Sequence, residues 1–360
     1  MKICNTKNQQ RGLTLIELMI AIVLGLLITA AVIQLFVNNK QTYRITESQT
    51  QLQNNARFAL NALSKDIRLA GFSGCRAVEN MNVYVIVSGA VASMTENTVI
   101  SGTENWGLGT SATLGAVKTA SDVFTLQRAQ GCGAALTGNL STANASVQVN
   151  APNSCNLQAN DVLMIADCED AHIFRATTVS PGANKQTIAH ASNINQANRF
   201  CKGYETLPQA GNCDAGKNKL YSYDAELYKF VSTSYFIRDD QNGHPALWAF
   251  DHNSATNTVD PDKLNPQVMV EGISDMQINY GIDDNGDDVI DDYKTAQAVT
   301  NATEWHKVIS AELSLLVETQ ETNLRLNDQQ LSYNGVTTPY DDGRIRRVFS
   351  TTVGIRNRVQ

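Results

Sequence analysis

The chain has 360 residues, 42% hydrophobic and 18% charged, with 28 basic against 35 acidic side chains and a formal net charge of −7. These values exclude a disordered chain, a collagen-like repeat and a polytopic membrane protein. A pI near 5.3 excludes a protein built to coat nucleic acid, so nucleic acid is not an expected partner.

The first twelve residues, MKICNTKNQQRG, carry Lys2, Lys7 and Arg11 and no acid. Residues 13–37 follow as an apolar run whose only ionisable side chain is Glu17. As a helix this run is about 37 Å long, enough to cross a hydrocarbon core of roughly 30 Å. By the positive-inside rule the N-terminus stays cytoplasmic and everything beyond Val37 is exported. An ordinary secretory signal fits poorly, since its apolar region is shorter and closes on a small-residue cleavage site. Glu17 calls for a partner, because a carboxylate at membrane depth costs roughly 2.5–3.5 kcal/mol on insertion scales.

The helix is expected to run on to Ala70. No proline precedes Pro152, and Leu52, Ala56, Ala59, Leu60, Leu63, Ile67 and Ala70 recur at three- and four-residue steps, an amphipathic stripe. Gly71 is the expected C-cap, and Gly25 is a candidate for local bending. The chain then divides into a basic leader (1–12), a membrane-spanning helix (13–37), its amphipathic continuation (38–70) and an exported β-rich domain (71–360). Within that domain alternation predicts strands at 82–87, 122–127, 161–166, 172–178, 227–238, 268–282, 308–317 and 345–355. The polar segments 131–152 and 185–219 read as loop insertions. The fold class is α+β, a long helix packed on an antiparallel sheet.

Cys4 lies in the leader, which leaves Cys75, Cys132, Cys155, Cys168, Cys201 and Cys213 on the exported side, where disulfides persist. Six cysteines permit 15 connectivities. One pairing is expected, Cys201 with Cys213, because the polar segment between them has little else to order it. Zinc is disfavoured by the absence of C-x-x-C and by scattered histidines.

Residues 283–292 hold six aspartates. Asp283, Asn285, Asp287 and Asp291 stand at positions 1, 3, 5 and 9 of an EF-hand-like loop, a spacing that brings hard oxygen ligands to one Ca²⁺. Asp288 replaces the glycine of position 6 and Lys294 the glutamate of position 12, so a solvated acidic turn is the first reading and calcium the second. No other cofactor is required. Arg344, Arg346, Arg347, Arg356 and Arg358 make the C-terminus basic; solvated or ion-paired side chains are expected, with a phosphate-binding patch as the alternative. No catalytic motif is present. His172, His190, His244, His252 and His306 are expected to be exposed or satisfied, and the chain is expected not to be an enzyme.

At Gly12-Leu13-Thr14-Leu15-Ile16-Glu17-Leu18 the sequence resembles the type IV prepilin family. The resemblance implies cleavage by a prepilin peptidase between Gly12 and Leu13, methylation of the new amine of Leu13, and a register role for Glu17 opposite the N-terminal ammonium of a neighbouring subunit. Three further stretches, 52–75, 273–288 with the later Trp305 and 313–316, and 344–358, resemble PilW-type minor pilins. This implies an inner-membrane protein, single-pass with its C-terminal domain periplasmic, that later joins the pilus at the cell surface. It also implies a role in priming pilus assembly with other minor and major pilins, a PilY-type tip adhesin and the inner-membrane assembly platform. The J-type minor pseudopilin of type II secretion is a second reading. A membrane-anchored periplasmic enzyme or ligand-binding protein is an alternative of another class.

Overall fold

The computed structural model describes residues 14–88, 94–105, 110–111, 114–203, 213–214, 216–253, 266–325 and 327–358. Helix α1 (Leu15–Leu69) is capped at its start by Thr14 and ends at Ala70, followed by Gly71 at φ 75°. It passes through Gly25 without interruption. Its second half buries Leu52, Ala56, Ala59, Leu63 and Ile67, the stripe expected from the sequence, with Leu60 half-buried at its edge.

Among the described residues nineteen strands follow. The first ten are β1 (Asn82–Val85), β2 (Ile100–Thr103), β3 (Thr110–Ser111), β4 (Gly115–Ala116), β5 (Val123–Ala135), β6 (Val147–Asn150), β7 (Val162–Ala166), β8 (Asp170–Arg175), β9 (Thr178–Pro181) and β10 (Lys185–Ala189). The remaining nine are β11 (Glu226–Asp239), β12 (Pro245–Asp251), β13 (Gln267–Glu271), β14 (Ile273–Ile282), β15 (Asp292–Thr295), β16 (Val308–Glu318), β17 (Gln329–Tyr333), β18 (Val336–Tyr340) and β19 (Arg346–Gly354). A short helix α2 (Ala296–Ala302) lies between β15 and β16.

The strands form two principal sheets. The larger centres on β11, which pairs with β5 along most of its length, with β7 at its start and with β12 at its end. Beyond these lie β2, β8, β1 and β13, and β1 with β8 is a parallel pair in an otherwise antiparallel sheet. The smaller has the order β15-β14-β16-β19 and lies against α1. One core joins the helix stripe to the inner faces of both sheets, with Met276, Leu313, Leu315 and Val353 opposite Leu63 and Ile67.

Three sequence expectations are corrected here. The single strand 268–282 is two strands in different sheets, because Gly272 turns the chain at φ 79°. A Cβ at Gly272 would lie 2.8 Å from the carbonyl oxygen of Glu318, so a side chain is excluded there on both counts. The segments 131–152 and 185–219 are also not plain loops. They contribute the end of β5 together with β6 and β10, and β6-β10-β9 form a three-stranded sheet over a second core of Val147, Val149, Phe174, Ile188, Phe200 and Tyr221. Strand 172–178 is shifted to Asp170–Arg175, ending before β9.

Candidate assembly surface

The residues of α1 divide at about Ser48, the first buried position. From Leu15 to Val37 every large apolar side chain is more than half exposed, so this half of the helix makes no use of the domain it carries. It is long and apolar enough to cross a membrane. Exposure of this much apolar surface is incompatible with water, and its occupants are lipid tails or other apolar helices.

Glu17 sits in the first turn of that half. The N–H of Thr14 donates to Glu17 Oε2 at 3.0 Å, the Thr14 hydroxyl donates to the same oxygen at 2.9 Å, and the Glu17 N–H donates to Thr14 Oγ1 at 3.4 Å. This is a capping box, and its signature was present in the sequence as Thr14-x-x-Glu17. The carboxylate therefore has a partner inside its own chain, which sequence reasoning sought in a neighbouring subunit. Gly12 and Leu13 lie outside the described residues.

The second half of α1 is fixed to the sheets by polar contacts beside the apolar stripe. Asn55 donates to the Glu271 carbonyl at 3.0 Å, and Tyr235 donates to Asp66, which also faces Arg128 at 3.5 Å. The N–H of Gly71 donates to the Gln127 carbonyl, and Asn357 donates to the Ala70 carbonyl. The Arg44–Glu321 pair, 3.0 Å apart, marks where the domain first meets the helix. Hence the β-rich domain holds α1 along one face and leaves Tyr43 and Phe58 exposed on another.

The six cysteines beyond the leader pair as Cys75–Cys168, Cys132–Cys155 and Cys201–Cys213. The first ties the segment after α1 to the turn between β7 and β8, and the third closes the polar segment where a pairing was expected. Beside Cys201 lies a buried polar cluster. Nε2 of His172 lies 2.9 Å from the Cys201 carbonyl and must donate, so Nδ1 accepts from the Tyr221 hydroxyl at 2.6 Å. Lys219 bridges Asp167 and Asp170 at 2.6 and 2.7 Å. His172 is buried with both ring nitrogens bonded; His190 is also buried, with Nε2 3.0 Å from the Ala145 carbonyl and Nδ1 without a hydrogen-bond partner among the described residues.

The acidic turn 283–292 spends its oxygens on its own backbone. Asp283 accepts from the amides of Asn285, Gly286 and Asp288, Asn285 from Asp287, Asp287 from Val289, and Asp291 from Asp284. Desolvation raises the Asp283 pKa, but these amides outweigh it and hold the carboxyl below the usual range. Asp288 occupies the left-handed region at φ 63°, the conformation for which an EF-hand uses glycine. Lys307 reaches Asp284 at 3.0 Å. Among the described residues no group of three or more His, Cys, Asp or Glu side chains converges on a metal position.

The C-terminal arginines divide into two kinds. Arg346 is buried between Glu318 at 2.8 Å and Asp342 at 2.7 Å, with Arg344 on the same Glu318. The Arg346 guanidinium brings the Asp342 carboxyl down to about 2. Arg358 is also buried and donates to the carbonyls of Trp305, His306 and Glu96. Arg347 and Arg356 remain exposed. Ion pairing, one of the two expected states, holds for Arg346, whereas Arg358 departs from both, carried inward by the turn after β19 onto backbone carbonyls.

Two sequence families match the chain. The model of type IV pilus-assembly protein W matches residues 234–357, from β11 to the turn after β19, and the prokaryotic N-terminal methylation motif matches residues 7–33. The stretch 52–75 lies outside both matches. Neither a curated protein nor a solved structure matches the chain.

Proposed function

The two matches make this chain a type IV pilin of the PilW type, and from that premise we propose that it is a minor pilin that primes pilus assembly as part of a tip complex. The observation that carries this reading is the two-part helix, bare and apolar to Val37 and covered by sheet from Ser48 on. A bare apolar half suits a lipid bilayer first and a bundle of like helices afterwards. The same change of surroundings moves a subunit from membrane to filament.

In this reading a prepilin peptidase cuts between Gly12 and Leu13 and the amine of Leu13 is methylated. The new ammonium then precedes Thr14, whose N–H already bonds Glu17. Glu17 serves as the register charge toward the ammonium of a neighbouring subunit, and an apolar setting strengthens such a pair. The domain is periplasmic before assembly. Its partners are other minor and major pilins, a PilY-type tip adhesin and the assembly platform. The protein W match favours the pilus over type II secretion, and a structural role over enzymatic activity.

Intact mass of the protein purified from membranes should show loss of residues 1–12 and one added methyl group; an uncut N-terminus would overturn the reading. Glu17→Ala should lower the amount recovered in sheared pili while the exported domain keeps its melting temperature. Normal recovery would remove the role given to that charge.

A further inference from the structure

An open pocket of about 530 Å³ lies at the far end of α1 from the apolar half, lined by Phe72, Arg76, Asn80, Arg356 and Asn357 with backbone from Gly74. Two separate chain segments build it, the loop after α1 and the turn after β19. The loop is tightly held. Phe72 bridges Ala77, the Ser73 hydroxyl donates to the Arg76 carbonyl, and Cys75 is bonded to Cys168. Gly74 has φ 107°, and a Cβ there would lie 2.8 Å from the Tyr228 hydroxyl, so the loop packs against the sheet as no other residue would allow. The pocket wall is preorganised rather than a passing arrangement of surface side chains.

Its charge runs against that of the molecule. Arg76 and Arg356 are exposed and form no ion pair among the described residues, while the chain carries −7 overall. Arg68 is exposed at the adjoining end of α1, where its carbonyl accepts from the Arg356 N–H. No Asp or Glu lines the pocket; the nearest in sequence, Glu79, acts on the buried Arg358. Two guanidinium groups facing one polar pocket match an oxyanion of about two charges, which a phosphate ester carries and a single carboxylate does not. The volume exceeds that of phosphate alone. The Asn80 amide, the free Oδ1 of Asn357 and the half-exposed Phe72 ring supply hydrogen bonds and an apolar plate, the combination that suits a sugar.

We infer that this pocket binds a phosphorylated sugar, with the phosphate between Arg76 and Arg356. The test uses the full chain in detergent micelles, titrated calorimetrically with ribose 5-phosphate, ribose, inorganic phosphate and succinate. Saturable binding of ribose 5-phosphate, tighter than inorganic phosphate, is expected. It should weaken about tenfold or more in the Arg76→Gln/Arg356→Gln double variant, as loss of a charge-assisted contact implies. Arg347→Gln, which removes an exposed arginine elsewhere on β19, should leave it unchanged. Absence of saturable binding, equal loss in Arg347→Gln, or succinate or unphosphorylated ribose binding as tightly would each overturn the assignment.

Discussion

Asp122 and Ile278, 156 residues apart, are joined by a hydrogen bond from the Ile278 amide to Asp122 Oδ2 at 2.8 Å. The other carboxyl oxygen accepts from the Asn105 N–H at 2.8 Å, and the Asp122 N–H donates to the Met276 carbonyl at 2.8 Å. One residue at the start of β5 thus fastens the larger sheet to β14 of the smaller. Burial pushes its carboxyl up to about 6, against the pull of the two amides and with Glu104 and Asp275 adding to the rise.

Asp122→Ala should destabilise the exported domain by about 1–3 kcal/mol, the cost of leaving a buried amide without its acceptor. Thermal unfolding of the detergent-solubilised chain measures this, and an unchanged melting temperature would mean that the sheets are held by their apolar core alone.

A pH profile should reveal two opposed titrations. Burial pushes His172 down to about 4, with the Cys201 carbonyl and Asp170 resisting. An unfolded histidine titrates near 6.5, so between these values the unfolded chain binds a proton that the native chain refuses. Stability from His172 therefore falls as pH drops from about 6.5 to 4. Asp122 has the reverse sign: its native carboxyl holds a proton between about 4 and 6 that the unfolded chain has released, so its contribution falls as pH rises. Each amounts to roughly 1.4 kcal/mol per pH unit at most. Asp122→Asn should steepen the loss of stability on acidification, and His172→Gln should flatten or reverse it. Equal slopes in parent and both variants would sink this account.

On α1, Leu63 is fully buried and Phe58 is 59% exposed. Leu63→Ala should cost about 2–5 kcal/mol, whereas Phe58→Ala should stay within about 0.5 kcal/mol. If Phe58→Ala also lowers recovery in sheared pili, its exposed ring is a contact between subunits.

These residues also mark what the sequence made legible. The helix bounds and buried stripe followed from local signals: an apolar run, a 3.6-residue period and a terminal glycine. The strand break at Gly272 carried a signal too, but only the clash with Glu318 across the sheet gives that glycine its meaning. The strands β6 and β10 were hidden by Asn, Ser and Thr neighbours, although Val147 and Val149 alternate as a buried strand should. Burial of Arg346 and Arg358 depended on partners that no local pattern announces, Glu318 and the Trp305 carbonyl. Of the proposed site, Glu17 was legible by position, while the pocket between Arg76 and Arg356 required the ends of two distant segments to meet.

Disulfide removal should rank by loop length. Cys75 and Cys168 are 93 residues apart and Cys201 and Cys213 only 12. The chain-entropy model assigns about 4.7 kcal/mol to the first closure and about 3 kcal/mol to the second. Non-reducing denaturant unfolding of the paired Cys→Ser variants should follow that order; the reverse order would overturn the ranking by loop length.

The acidic turn is expected to ignore calcium, because its carboxylates and Asn285 are engaged by backbone amides. Millimolar calcium should leave the melting temperature of the chain unchanged. A rise that disappears in Asp287→Ala would show that the aspartates turn to hold the ion.

The interval between the end of the exposed apolar run, Val37, and the first domain contact, Arg44 with Glu321, also sets a height. Residues 38–43 span roughly 9 Å of helix, scarcely more than the headgroup layer of one leaflet. With the apolar half in a bilayer, the exported domain would rest on the lipid surface like a foot on a floor, and Tyr43 would lie at the interface where aromatic rings settle. Extraction into a filament would then lift that underside, with Glu321 at its rim, off the membrane and present it to the subunit arriving below.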